Sequence, residues 1–251
     1  MNSSNELNKE KTELNKIKSK DLLKNIKSKY ILQKFFKYLL KKKLLDIIKY
    51  NKTIKNRINI SINDYKEYSE IYSSIEIEIK PVNNKYGTFF NFFGRDEKYY
   101  HIYFDDNKEE IKRNYLNENE KVEKITIIID YQFKSFKSLF SHCRYIEYIN
   151  FKQFYRNNIN NMGSMFEGCY SLKELNLSNF ITNNVTNMGY IFYGCSSLRE
   201  LNLSNFNTNN ATNMRSMFYG CSAQFQNKIR ARYKNIEEEE AFKEIVKIFI
   251  K

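Results

Sequence analysis

Four cysteines and two histidines are the residues best suited to chemistry, and their spacing limits what they can do. Cys143, Cys169, Cys195 and Cys221 stand 26 residues apart. Zinc sites draw on clustered pairs such as C-x-x-C, which this spacing does not offer. If units of 26 residues stack, neighbouring thiols lie roughly 5 Å apart, the separation of adjacent strands. Their Cβ vectors would then be parallel, which suits a disulfide badly. A column of buried free thiols is the expectation. His142 and Cys143 form a nucleophile–base pair in name only, because adjacent helical residues project in different directions. His101 is the other histidine, and no pattern places an acid to orient either ring. No G-x-x-x-x-G-K-[ST] or G-x-G-x-x-G phosphate loop occurs. The sequence therefore reads as non-enzymatic, with no catalytic residue, metal or cofactor.

The elements that position these cysteines repeat with them. "NMGSMFEGCYSLKELNLSNFITNN" at 161–184 returns as "NMGYIFYGCSSLRELNLSNFNTNN" at 187–210, and "NMRSMFYGCS" follows at 213–222. Phe140, Phe166, Phe192 and Phe218 each precede a cysteine by three residues. Ile146, Leu172 and Leu198, then Ile149, Leu175 and Leu201, then Phe151, Leu177 and Leu203 follow at fixed distances. Phe154, Phe180 and Phe206 close the template. A period of 20 to 29 residues with an L-x-x-L-x-L core predicts stacked coils, because one coil cannot bury its apolar face alone. "LNLS" is the expected strand, and "TNMGYIFYG" the expected helical turn, with Met188, Ile191 and Phe192 inward. Thr186 or Asn187 would cap that turn, and Gly168, Gly194 and Gly220 would end it in the left-handed conformation. His142 occupies the same place in the first copy.

The motifs "MFEGCYSLKELNLSNFITNNVTNM" and "IFYGCSSLRELNLSNFNTNNATNM" resemble the BspA-like leucine-rich repeat family, the DUF285-type surface-protein repeat. The resemblance covers roughly 135–222. Phe180 and Phe206 depart from ordinary leucine-rich repeats, where an inward Asn is common. The resemblance implies a binding or adhesion scaffold without catalytic chemistry, and many relatives are secreted or surface proteins. Glycans on the sequons at Asn176, Asn184, Asn202 and Asn210 would fall on strands and ladders. The fold class expected is an α/β solenoid, a leucine-rich-repeat-like array of about three to four coils. A β-rich region and N-terminal helices would precede it, and C-terminal helices would cap it.

The rest of the chain divides by pattern. Residues 1–27 read as a charged helical leader and 28–59 as an amphipathic helical hairpin. Residues 60–122 read as β-rich, with "SSIEIEIK" and "YYHIYF" strand-like, and the strand-like "KITIIID" at 124–130 is a candidate first strand of the array. The repeat block spans 123–222, and 223–251 reads as a helical cap using Phe225, Ile229, Ile245, Val246 and Phe249. Residues 30–52 resemble an F-box in the spacing of Ile31, Phe35, Phe36, Leu39, Leu44, Leu45 and Ile48. That resemblance implies docking to a ubiquitin-ligase adaptor, with the repeats choosing the client. The Pro and acidic residues common at that motif's start are absent.

Composition and charge complete the expectations. The chain of 251 residues carries a net charge of +13, and its Lys-, Asn- and Ile-rich, protist-like bias is what AT-rich coding produces. Residues 1–60 hold 17 Lys and Arg against 5 Asp and Glu, a net of +12. Residues 162–221 balance Lys173, Arg199 and Arg215 against Glu167, Glu174 and Glu200. The basic segment reads first as a solvated helical face, with nucleic acid or an anionic membrane as less favoured partners. No signal-peptide h-region and no 18-residue apolar run is visible, so a cytoplasmic address is expected ahead of the cell surface. The leading functional reading is a non-catalytic protein–protein interaction module presenting a leucine-rich-repeat surface. Tyr148, Asn150, Lys152, Glu174, Asn176, Ser178, Glu200, Asn202 and Ser204 would form its polar face. Tyr190, Tyr193 and Tyr219 are alternative contacts on the other side. Two further readings are an F-box-like substrate recruiter for a cullin-type ligase and a cell-surface adhesion protein.

Overall fold

Alternation decides the first strand: Ile75, Ile77 and Ile79 fall on one face of Ile75–Pro81 (β1), and all three are buried. The structure is a computed structural model that describes residues 53, 54, 56, 74–92, 97–154, 156–233, 236 and 238–243. The chain divides into two units, Met1–Tyr72 and Ser73–Lys251. Of the first, Thr53, Ile54 and Asn56 are helical. The F-box-like docking residues Ile31, Phe35, Phe36, Leu39, Leu44, Leu45 and Ile48 lie outside the described residues.

The second unit is built on a mixed sheet. Its strands are β1, Gly87–Thr88 (β2), Tyr100–Phe104 (β3), Tyr115–Leu116 (β4), Ile125–Ile129 (β5), Ile146–Gln153 (β6), Glu174–Asn176 (β7) and Glu200–Asn202 (β8). Six pair in the order β3-β5-β1-β6-β7-β8, while β2 and β4 form a separate pair. The β3–β5, β5–β1 and β1–β6 pairings are antiparallel, and β6–β7 and β7–β8 are parallel. Two short helices are described, Ala223–Arg232 (α1) and Glu238–Phe242 (α2).

This arrangement corrects the expected α/β solenoid. β5, expected as the first strand of an array, lies between β3 and β1 and pairs antiparallel with both. β7 and β8 contribute three residues each to an open mixed sheet. The segments expected to be helical are chains of turns. The cause is local: each carries two left-handed residues four apart. These are Ser138 and His142, Ser164 and Gly168, Tyr190 and Gly194, and Ser216 and Gly220. A right-handed helix cannot pass through them. N–H groups instead alternate between two kinds of partner. Met165, Glu167 and Cys169 donate three residues back, to Met162, Ser164 and Phe166. Ser164, Phe166 and Gly168 donate to Gly189, Ile191 and Tyr193 of the next unit. The 3.6-like spacing of Met188, Ile191 and Phe192 is thus the spacing of inward residues on a turn ladder.

The interior is a file of rings. Phe140, Phe166, Phe192 and Phe218 stack at centroid distances of 5.6, 5.8 and 5.3 Å. Phe90 meets Phe140 edge-on at one end, and Phe242 of α2 stacks on Phe218 at 5.2 Å at the other. Both ends are closed by hydrogen bonds as well. Asn91 Nδ2 donates to the Ser138 and Ser141 carbonyls. Ser216 and Phe218 N–H groups donate to Glu240 and Ala241. Phe225 and Ile229 of α1 are buried as expected of the C-terminal helices, while Ile245, Val246 and Phe249 lie outside the described residues. Among the described residues, no helix is long and apolar enough to cross a membrane.

Candidate functional site

The thiols are the natural starting point. All four cysteines are free and buried. Cys169, Cys195 and Cys221 each direct Sγ–H to a carbonyl 29 residues earlier, of Phe140, Phe166 and Phe192, at 3.1, 3.1 and 3.2 Å. Burial pushes every thiol above its ordinary value near 9, Cys169 and Cys221 to about 12. Thiolate chemistry is thereby suppressed. Native protein is expected to leave all four thiols unlabelled by a thiol-titrating disulfide reagent that counts four after denaturation. Fast labelling of native protein would contradict this burial. The sign of the linkage follows. A thiol that ionises near 9 when unfolded and near 12 when folded stabilises the fold fully below pH 9 and progressively less from 9 to 12. The alkaline fall in melting temperature should be shallower in Cys169→Ala than in the parent.

His142 has φ of 59° and is exposed, beside a cysteine that points inward. His101 behaves differently from expectation. Its Nδ1 lies 2.9 Å from Glu110 and its Nε2 3.5 Å from Asp130. Lys112 also binds Glu110 at 2.6 Å and is the first cause holding that carboxyl below its usual range, with His101 adding to it. The acids come from the loop after β3 and the end of β5, separations that no local spacing rule relates to His101. Among the described residues, no group of His, Cys, Asp and Glu is arranged to hold a metal ion.

The outer sheet face carries the residues proposed from sequence. Tyr148, Glu174 and Glu200 stand in one cross-strand row, and Asn150, Asn176 and Asn202 in the next. Much of this face is occupied with itself. Asn176 and Asn202 Oδ1 accept from Ser178 and Ser204 N–H at 3.0 Å. Lys152 is drawn to Glu78 and Glu76 on β1, at 2.8 and 3.3 Å. Lys173 holds Glu147 and Lys228 holds Glu200. Asn184 and Asn210 spend their Nδ2 groups on the Asn157 and Asn183 carbonyls, so a glycan there would break a ladder. On the turn side, Tyr193 stacks on Tyr219 at 5.5 Å and meets Tyr190 at 5.7 Å.

These facts correct the functional reading. An open mixed sheet with two three-residue parallel strands lacks the repeat surface of a leucine-rich array. The interaction-module, F-box-recruiter and adhesion readings each relied on that surface, and they fall with it.

Two features escaped the sequence reading. One is a set of exposed tyrosines. Tyr86, Tyr115, Tyr145 and Tyr170 are 50, 47, 41 and 44% exposed, four of the six large apolar side chains that stand out from the described surface. Gly87 lies beside the Tyr145 ring, which a Cβ there would touch at an ordinary contact distance of 3.5 Å. The Arg144 guanidinium lies 5.5 Å from the Tyr170 ring centre, within cation–π range. The other is a cleft of about 650 Å3 where β1 and β6 meet the loop after β3 and the loop before β5. Its acids are largely engaged: Glu78 by Lys152, Asp105 by the Glu123 and Lys124 N–H groups, and Asp106 by Lys124. Lys80, Lys121, Glu123 and Tyr148 also line it.

Comparison with known proteins adds a partial likeness. No curated protein and no solved structure matches the chain. Residues 134–248, which is 115 of the 251, match the family described as Mycoplasma protein of unknown function, DUF285, and neither leucine-rich-repeat nor F-box identity accompanies that match.

Proposed function

We propose that the protein binds single-stranded nucleic acid. The observation that carries this reading is the set of exposed tyrosines, with Arg144 over Tyr170. Single strands are held without sequence preference by aromatic rings on which bases stack, with arginine adding cation–π contact. The second ingredient of such sites is positive charge along the backbone, and residues 1–60 carry +12 of the chain's +13. The protein acts here as a binder, with no reaction assigned to it.

Fluorescence anisotropy of a labelled oligothymidylate tests the proposal on the full chain. Affinity should fall steeply with added salt. Combined Tyr145→Ala and Tyr170→Ala should weaken it at least tenfold, since a stacked base contributes about 1–3 kcal/mol. Equal affinity in parent and double variant would refute the assigned site.

A further inference from the structure

We infer that the charged cleft receives one nucleoside phosphate unit, with its phosphate between Lys80 and Lys121, its base amino group on Glu123 and its ring against Tyr148. For the source of that unit, the inference rests on the nucleic-acid reading above; for the chemistry, it rests on the cleft.

The cleft volume, about 650 Å3, lies within the range of small-ligand sites, roughly 300–1,000 Å3. Its lining is unusually polar for such a site, so the ligand must bring its own charges. Which charges is decided by the groups not already engaged. Glu78 is held by Lys152, Asp105 by two backbone N–H groups, and Asp106 and Lys124 by each other, as described above. Among the described residues, no hydrogen bond or ion pair engages the side chains of Lys80, Lys121 or Glu123, although the Glu123 N–H donates to Asp105. Lys80 does stand within electrostatic reach of Glu147, but that carboxylate is held by Lys173 at 2.9 Å. The remainder is two ammonium groups, one carboxylate and one half-exposed phenol ring.

A lone anion would leave Glu123 repelling it, and an amine would meet the two lysines. A nucleoside phosphate matches both signs. Its phosphate takes the ammonium groups, and an exocyclic amino group donates to a carboxylate, as cytosine N4–H2 does. Tyr148 sits directly across the strand pair from Lys80, so a base lying on its ring keeps its phosphate beside that lysine.

The test uses the full chain and two kinds of probe. Amide NMR spectra are recorded during titration with cytidine monophosphate, uridine monophosphate and inorganic phosphate, and oligothymidylate anisotropy is run in parallel. Cytidine monophosphate should shift Lys80, Lys121, Glu123 and Tyr148, with affinity reduced at least tenfold in Lys80→Ala/Lys121→Ala. It should bind about tenfold tighter than uridine monophosphate, which lacks the amino donor, and Glu123→Gln should erase that preference while inorganic phosphate, no longer facing a carboxylate, binds tighter. All four groups are at the surface of the fold, so the variants should keep the parent melting temperature. Absence of cleft shifts with cytidine monophosphate, or equal shifts in the double lysine variant, would overturn the inference. Nucleotide binding without oligonucleotide binding supports the cleft and overturns the nucleic-acid reading. Oligonucleotide binding with a silent cleft does the reverse.

Discussion

Phe192→Ala is expected to destabilise the protein by about 4 kcal/mol, within the 3–5 kcal/mol range of buried Phe truncations. Phe192 is fully buried and lies between two parallel neighbours, Phe166 at 5.8 Å and Phe218 at 5.3 Å. Its removal leaves a void in mid-file, where rings on both sides are pinned by inter-unit hydrogen bonds. Phe166 N–H is tied to Ile191 and Phe192 N–H to Met217. The backbone therefore cannot close over the space, and the cavity penalty adds to the lost transfer free energy. Urea unfolding with an unchanged m-value reads the loss as a lower midpoint. A loss under about 1 kcal/mol would mean the file is loosely packed. Phe192→Leu should recover most of the difference, because it refills volume without changing the ladder.

The second large effect concerns the far end. Phe242→Ala should destabilise by about 3 kcal/mol, although α2 is only five residues long. Phe242 gives Phe218 a second stacking partner beside Phe192, and the Arg230 guanidinium lies over the Phe242 ring at 4.1 Å. The neighbouring backbone acts as one more rung. Glu240 and Ala241 carbonyls accept from Ser216 and Phe218 N–H, and Lys243 O accepts from Ser216 Oγ. Ser216 is fully buried. When α2 detaches, those donors lose their partners beside newly wetted rings. Hydrogen exchange in Phe242→Ala should therefore speed up at Ser216 and Phe218 more than at Ser164 and Phe166. Uniform acceleration along the whole file would show instead that α2 is not a local cap.

How much of this was readable in advance varies element by element. Alternation in "SSIEIEIK" and "KITIIID" located β1 and β5, because a half-buried strand imposes a period of two wherever it pairs. The pairing itself was hidden. Whether β5 neighbours β6 or sits between β1 and β3 depends on contacts across tens of residues, and local pattern carries no record of them. The apolar file was visible because each 26-residue unit meets its neighbour in the same register, so inward positions repeat. The turn ladder was misread as helix because a spacing of three to four residues marks the inward face of either. The left-handed serines and Tyr190 that exclude the helix carry no glycine-like signal.

The candidate sites were the least legible. His101 meets Glu110 and Asp130 only through the loop after β3 and the end of β5. Lys152, expected on a binding face, was claimed by Glu76 and Glu78 of a strand 70 or more residues earlier. By itself the sequence determined which residues face inward, where the 26-residue period runs and where the positive charge is concentrated, since these depend on composition and near-neighbour spacing. Only the tertiary structure decided the mixed sheet order, the ladder of turns, the exposed tyrosines and the cleft. Each of those depends on which distant segments pair, and pairing is set by the packing of the whole unit.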